Sequence, residues 1–527
     1  MGDYLNPGYV KFQLSLNSEI YVDKSEMINK INALIGTEKR FVCISRPRRF
    51  GKTMSANILA AYYSYGEDAS HLFRNLKISN DSSWKEHLNQ YNCIALNMQE
   101  FLSGANTVRE MLEHIKEYLV YDFKEAYPEV KYRSPDNFVQ VMKDVYSFTK
   151  RPFIILIDEW DCLFREYKGD LKVQEKYLDF LRLWLKDQAY VGLAYMTGIL
   201  PIKKYGTHSA LNMFWEYSMT NPSQFVDFFG FTECEVEQLD EKYGMSMEEI
   251  RAWYNGYFLE SGSPIYNPTS VVQCLMRKVF DNYWNKTETY EALTDYVRMN
   301  FDGLKDKIVA MIAGDSVKVN TGSFSNEMAN LHNTEDVLTL LIHLGYLSYD
   351  FAEGKVRIPN QEVRNEFATS VSVLGWSGVV DAIQDSEKLL KSIWNMEEEA
   401  VASYIQEVHE KNASALQYNN ENSLSCTISL ALYVASEYYT VVREFPSGKG
   451  FADLVYIPRK KFSDKPAMIV ELKWNKDVSE AVLQIKNKNY VSALKEYQGN
   501  LLLVGINYNQ KTKKHSCLIE RHICNDL

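Results

Sequence analysis

The chain of 527 residues has no uninterrupted apolar stretch long enough to cross a bilayer, which takes about 20 residues. Its opening residues, Met1-Gly-Asp-Tyr-Leu-Asn-Pro7, carry no basic segment followed by an apolar core. No secretion signal and no membrane partner are therefore expected, and the cytoplasm is the expected compartment. Cysteine is sparse, with eight scattered residues and no C-x-x-C pair, which fits reduced thiols better than a disulfide framework. One spacing, His515-x-Cys517 with His522-x-Cys524, has the residue types of a metal set. Alternate positions also mark one face of a strand, and a tetrahedral zinc site would need the chain to fold back sharply, so a C-terminal strand is the preferred reading. Internal repeats and low-complexity tails are missing, and the length suits about three domains. The net charge of −11 argues against a surface coated with basic residues. Charge is uneven, however: Arg443 to Leu527 holds 15 Lys/Arg against 9 Asp/Glu, a balance of +6 that leaves −17 for the remainder. A basic C-terminal part suggests a polyanionic partner, with a solvated basic face as the simpler alternative.

What is present begins with Arg46-Pro47-Arg48-Arg49-Phe50-Gly51-Lys52-Thr53, which follows the apolar run Phe41 to Ser45 and opens a helix-like segment, Met54 to Tyr63. A strand, a tight loop ending in Gly-Lys-Thr and a helix form the layout of a phosphate-binding loop. Its backbone N–H groups and helix N-terminus cradle phosphate. Lys52 is expected to reach the β- and γ-phosphates of ATP, and the Thr53 hydroxyl to hold Mg²⁺. The loop departs from G-x-x-x-x-G-K-[ST], because Arg46 stands at the first glycine position. Arg48 and Arg49 suit phosphate, an acidic neighbour or a partner chain equally. A second apolar run, Phe153 to Ile157, ends in Asp158 and Glu159 and reads as a buried parallel strand. Asp158 is expected to bind Mg²⁺ and Glu159 to polarise the water that attacks the γ-phosphate. Val191 to Thr197 supplies a neighbouring strand, with Thr197 either sensing the γ-phosphate or merely ending the strand.

The basic end contains a second constellation. Ala452 to Ile457 reads as a strand with Asp453 near its start, and Ala467 to Trp474 as its hairpin partner. Glu471 and Lys473 lie two apart and so share a face, where Asp453 and Glu471 can converge on one cation. Carboxylate oxygens suit Mg²⁺ or Mn²⁺, which acidifies water and stabilises charge at a phosphate under attack. Lys473 is expected to orient or deprotonate that water, with its pKa depressed by the metal. The following helix, Ser479 to Leu494, brings Gln484, Lys488 and Tyr490 to the same region. Lys488 reads either as a phosphate contact or as part of a solvated face.

Between these sites, residues 1–220 read as an α/β nucleotide-binding core with strands near Phe41, Cys93, Phe153 and Val191. Residues 221–290 read as a mainly helical lid. Residues 291–371 contain an apolar helix and a two-stranded hairpin, suggesting a winged-helix-like module that packs between nucleotide site and effector, or binds DNA. His343 on that helix reads as a satisfied core histidine. Residues 372–412 form an amphipathic helical connector whose Glu397-Glu-Glu399 is a solvated face, and 413–527 form the last domain.

These residues carry a family resemblance. Tyr21-Val-Asp-Lys24, the Arg46 to Thr53 loop, Leu156-Ile-Asp-Glu-Trp-Asp161, Thr197-Gly198, Trp253-Tyr-Asn-Gly-Tyr257 and Tyr266-Asn-Pro-Thr-Ser270 resemble the predicted AAA-ATPase-like family of bacteria. Gly448, Gly450, Asp453, Glu471-Leu-Lys473 and the Gln484-to-Tyr490 spacing resemble the PD-(D/E)XK nuclease domain fused to it. The resemblance implies an α/β architecture with a P-loop NTPase core and a C-terminal nuclease fold, and makes Arg46 the ordinary form of the loop. It implies Asp453, Glu471 and Lys473 as nuclease residues and suggests Glu421 as an additional acidic residue on the first nuclease helix. Two positions depart from the family pattern: Leu424-Ser-Cys426 replaces an aromatic-His pair, and Phe451 stands where an Arg is usual. The expected function is an ATP-controlled DNA endonuclease, in genome defence or mobile-element biology, acting as a homo-oligomer or with a partner protein. The alternative is a nucleotide-dependent switch or scaffold whose nuclease fold only holds nucleic acid or a partner. RNA cleavage is a third possibility.

Overall fold

A computed structural model of the protein describes residues 2–202, 211–258, 264–284, 291–325, 331–412, 421–447, 450–488, 490, 494, 497 and 499–522. The apolar runs become strands: β1 Phe41–Ser45, β2 Asn92–Asn97, β3 Phe153–Asp158, β4 Val191–Gly198 and the short β5 Trp215–Tyr217. They form one parallel sheet in the order β2-β3-β4-β1-β5. Every residue of β1, β3 and β4 is buried, as continuous apolar runs require when helices cover both faces. Strand β5 escapes the sequence reading because three residues, Trp-Glu-Tyr, give no periodic signal. The helix Lys52–Tyr63 begins directly after the loop that leaves β1, and so aims its N-terminus at the carboxyl ends of β1, β3 and β4.

Beyond the core lie β6 Phe231–Thr232, β7 Tyr257–Phe258, β8 Pro264–Tyr266, β9 Val317–Lys318, β10 Ser348–Asp350 and β11 Lys355–Arg357. The region expected as a helical lid has its helices, Glu233–Tyr243, Met247–Tyr254 and Pro268–Arg277, but also a three-stranded sheet, β6-β8-β7. Its first helix starts with a capping box, in which Thr232 and Glu235 satisfy each other's backbone N–H groups, and stops at left-handed Gly244. The helix Thr334–Leu344 is followed by the β10–β11 hairpin expected from the sequence, within a sheet of order β10-β11-β9. His343 is buried, its ring stacked on Phe324, and burial holds its pKa down to about 3. Its Nδ1 has no hydrogen-bond partner among the described residues, so the imidazole is a neutral core group rather than a satisfied one.

The C-terminal strands are β12 Tyr439–Ser447, β13 Gly450–Pro458, β14 Ala467–Trp474, β15 Leu501–Asn509 and β16 Lys514–His522. They form a mixed sheet in sequence order, antiparallel except for the parallel pair β14–β15. That parallel pair is bridged by the helix Val478–Asn487, whose Val482 and Ile485 pack on Val455, Ile469, Leu501 and Leu503. The expected connector is two long helices, Ser377–Trp394 and Glu398–Asn412. The second lies on β16, where Glu398 accepts from Ile519 N at 2.7 Å and Gln406 Oε1 meets His515 Nδ1 at 2.7 Å. His515 and Cys517 stand in an ordinary strand, and Cys524 lies outside the described residues.

The chain divides into two compact units of interleaved segments: 1–247, 254–283 and 318–359 in the first; 248–253, 284–317 and 360–527 in the second. In the second unit, Gly505 lies opposite Glu471 in the β14–β15 register. A Cβ there would sit 3.0 Å from both the Ala481 Cβ and the Val478 carbonyl oxygen, on the helix that bridges the pair. Gly505→Val should therefore destabilise this unit by about 1–3 kcal/mol through overpacking. Thermal or urea unfolding reads the loss, and an unchanged midpoint would show that the helix–sheet contact is looser than described.

Candidate functional site

The carboxyl ends of β1, β3 and β4 gather the first group of residues. The loop 46–51 bends through two left-handed residues, Arg49 at φ 68° and Gly51 at φ 88°. Glycine takes that conformation freely, whereas Arg49 holds it at a cost of about 1–2 kcal/mol. Lys52 is buried and its Nζ donates to the Pro47 carbonyl at 2.9 Å, folding the side chain back under the loop. Burial lowers its pKa, opposed by the charges of Glu159, Asp161 and Asp158. Asp158 is the hub. Its Oδ2 accepts from Thr53 Oγ1 at 2.7 Å, and its Oδ1 accepts from Thr197 Oγ1 and from Glu159 N, the latter at 3.0 Å. Glu159 is held at φ 54° and pairs with Arg165, while burial raises its carboxyl pKa.

The structure thus brings Lys52, Thr53, Asp158, Glu159 and Thr197 together. It treats the loop's larger side chains differently. Arg46 is fully buried, donates to the carbonyls of Ser45 (2.9 Å) and Tyr217 (2.8 Å), and stacks over Phe229. Phe50 is also buried; its carbonyl accepts from Gly230 N at 3.1 Å and its ring meets that of Tyr257 edge-on. For Arg46 and Phe50, only the backbone is left to line the loop. Arg48 is exposed and Arg49 half-buried. A cavity of about 640 Å³ opens beside Thr53 and Asp158, lined also by Tyr4, Lys11, Asn97 and Glu100.

Three contributors carry no role in the sequence reading. Asp161 is buried and accepts from Ile199 N at 3.0 Å and Leu200 N at 2.9 Å, fixing the turn that leaves β4. Arg165 neutralises Glu159 and approaches Asp161 at 3.5 Å. Gly198 leaves room for Trp160 and Asp161, whose atoms lie 2.7 Å from where its Cβ would stand. Only the Asp-Glu-Trp-Asp run hinted at Asp161, and a lone Arg three residues further on has no pattern to mark it.

The second group lies where β13 leaves β14. The antiparallel register runs from Tyr456↔Met468 to Leu454↔Val470; one step further sets Asp453 opposite Glu471. Here the strands diverge and the Asp453 side chain takes the place of a strand carbonyl, its Oδ2 accepting from Leu472 N at 2.7 Å. Glu471 is 1% exposed. Its Oε1 accepts from Lys473 Nζ at 3.0 Å and from Gln484 Nε2, while Oε2 has no hydrogen-bond partner among the described residues. Burial, and then the charge of Asp453, raise its pKa to about 7 despite Lys473 and Lys488. Lys488 Nζ stands 5.8 Å from the Tyr490 ring, and Tyr490 donates its hydroxyl proton to the Phe451 carbonyl at 2.5 Å. Glu421 opens the helix Glu421–Ala431, but its side chain and Gly448 lie outside the described residues.

Among the described residues, no group of three or more His, Cys, Asp or Glu is placed to hold a metal. The Asp453–Glu471 pair nevertheless fits a hard cation. A buried carboxylate oxygen without a partner, facing a second carboxylate, is a costly arrangement that a divalent ion relieves.

A parallel five-stranded core with a Gly-Lys-Thr loop under its strand ends, and a mixed α/β sheet bearing an Asp/Glu-x-Lys cluster, define a P-loop ATPase fold and a nuclease-type fold. Residues 10–207 match the family model described as predicted AAA-ATPase, and residues 419–516 match that of the PD-(D/E)XK nuclease superfamily. The chain carries an AAA-ATPase-like domain followed by a PD-(D/E)XK nuclease-superfamily domain. It is similar to the uncharacterized protein in vnfD 5'region of Azotobacter chroococcum mcd 1, 25% identical over 340 residues. That likeness covers 61% of this chain and spans only 61% of the relative's own length. Among solved structures, the Aeropyrum pernix ORC2 protein in its ADPNP–ADP complexes is 11% identical at a TM-score of 0.29, covering 68% of this chain and 98% of that one. The Aeropyrum pernix ORC1 protein in complex with DNA is 13% identical at 0.26, covering 71% and 100%. The fold assignment rests on the strand orders and family models, not on these two likenesses. No helix among the described residues is long and apolar enough to cross a membrane.

The raised pKa of Glu471 has a definite sign for stability. A carboxyl that binds its proton more tightly folded than unfolded stabilises fully below its unfolded pKa of about 4.3, and that contribution is lost as pH rises to about 7. In EDTA, raising the pH from 5 to about 7 should lower the melting temperature of wild type relative to Glu471→Gln, and Mg²⁺ should restore wild type alone. Parallel curves for the two proteins would contradict the assignment.

Proposed function

We propose that this chain is an ATP-binding and ATP-hydrolysing protein that controls a Mg²⁺-dependent DNA endonuclease carried in its own C-terminal unit. The observation that carries the reading is the buried Glu471 carboxyl, with one oxygen bound by Lys473 and Gln484 and the other unpartnered opposite Asp453.

Asp453 and Glu471 are the proposed ligands of Mg²⁺, with Mn²⁺ as a substitute, and the cation would acidify water and stabilise charge on the phosphate. Gln484 fixes the Glu471 carboxyl and Lys473 keeps a protonated amine beside it, in position to orient the attacking water. Lys488 is the proposed phosphate contact. Tyr490 holds the backbone of Phe451 where β13 enters the site. Glu421 is proposed as a further acidic residue, on the helix that begins there.

In the first unit, the backbone N–H groups of Arg46 to Thr53 are proposed to bind the phosphates of ATP, with Lys52 released from Pro47 to meet them. Thr53 and Asp158 would hold the nucleotide's Mg²⁺, which bridges the phosphates and offsets their charge. Glu159 is the proposed base for the attacking water, held by Arg165 until that contact breaks. Thr197, tied to Asp158, orients the carboxylate and reports on the γ-phosphate. A cytoplasmic setting in genome defence or mobile-element biology accords with such a pairing of domains.

Supercoiled plasmid incubated with Mg²⁺, with and without ATP, tests this. Wild type should nick or linearise it, Glu471→Ala should leave it at the buffer background, and Lys52→Ala should cut at a rate that ignores ATP. Gln484→Ala should retain cutting weakened about 10–100-fold, the usual effect of losing a group that orients a metal ligand. Identical products from wild type and Glu471→Ala would refute the nuclease reading.

A further inference from the structure

Phe451 has no part in the metal cluster, yet it is the residue that most sets this site apart in shape. It is 63% exposed at the start of β13, whereas Ala452 and Leu454 are fully buried. Exposure alternates along these four residues, with Asp453 partly exposed, so Phe451 and Asp453 share one side of the strand. A large exposed ring forfeits the burial that stabilises other phenylalanines, and here nothing in the hairpin geometry calls for an aromatic residue. The backbone beneath it is held firmly. Tyr490 Oη donates to the Phe451 carbonyl at 2.5 Å, and Phe451 pairs with Pro446 across the β12–β13 ladder. Gly450 leaves space for the neighbouring cation: a Cβ there would lie 3.1 Å from both Lys488 Nζ and Tyr490 Oη.

An ammonium group and a flat apolar ring therefore stand side by side, next to the carboxylates proposed to act on a phosphodiester. That is the chemistry of a nucleotide: anionic phosphate for the lysine, a π-face for the ring. Resting on the nuclease reading, we propose that Phe451 is a stacking platform for an unpaired base next to the scissile phosphate, so that the site selects single-stranded or frayed nucleic acid over closed duplex. A base inside a duplex has both faces covered by its neighbours and offers the ring nothing to stack on.

Fluorescence anisotropy of the full chain, with Ca²⁺ replacing Mg²⁺ to suppress cutting, measures binding to labelled oligothymidylate, oligouridylate and a blunt DNA duplex. Phe451→Ala should weaken single-strand binding about 5- to 150-fold, the range expected for one lost base–aromatic stack, and leave duplex binding unchanged. Phe451→Trp should restore it. The DNA and RNA arms identify which single strand the ring prefers. Equal single-strand affinity for wild type and Phe451→Ala, or tighter wild-type binding to duplex than to single strand, overturns the proposal. Wild-type plasmid cutting read alongside separates the two failures: cutting that persists with a neutral Phe451→Ala sinks only the stacking role. Loss of cutting with no nucleic-acid binding sinks the nuclease reading itself.

Discussion

A carboxylate removed from water must find partners for its charge, and that constraint shapes both ends of this chain. At the end of β3 it is met from within: two hydroxyls and a backbone N–H surround Asp158. On β14 it is met by half. Glu471 has an amine and an amide on one oxygen and nothing on the other, with the carboxylate of Asp453 nearby. The first arrangement is stable as it stands and must be opened to admit a cation. The second is left with a deficit of positive charge, which is the physical reason for assigning it a metal.

The same contrast runs through the loop residues. Arg46 is a buried guanidinium without a carboxylate, held by backbone carbonyls and an aromatic face, and burial lowers its pKa to about 10. It fastens β1 to β5, where the usual glycine could fasten nothing. At the loop's other end, Phe50 is tied to Gly230 and packs on Tyr257, whose hydroxyl donates to the Gly345 carbonyl at 2.8 Å. Within the first unit, the phosphate loop is thereby linked to the end of the helix Thr334–Leu344. A loop anchored at both ends has its backbone N–H groups organised before any ligand arrives, so binding costs less ordering.

Much of this was legible in the residues. Continuous apolar runs gave β1, β3 and β4, and Gly51-Lys52-Thr53 with Asp158 gave the strand-end cluster, because these signals are local. The two-residue spacing of Glu471 and Lys473 and the helical position of Gln484 likewise fixed their meeting. What escaped depends on distant parts of the chain. Strand β5 is too short to have a period, and the β6-β8-β7 sheet is hidden among helices. The inward turn of Arg46 is set by carbonyls some 170 residues away in sequence, at Tyr217 (171 positions on). Arg165 and Asp161 act through partners that no spacing announces. The interleaving of the two units, in which 248–253 joins the C-terminal sheet's unit, is invisible to any reading that cuts the chain into consecutive blocks.

The account stands on a cation held between Asp453 and Glu471. Crystals of the protein soaked in Mn²⁺, with diffraction recorded at the manganese edge, test it directly. An anomalous peak bonded to oxygens of both side chains, with Glu471 Oε2 among its ligands, is the result expected. Saturating Mn²⁺ that leaves no peak between them, with Lys473 and Gln484 still on the other oxygen, would contradict it.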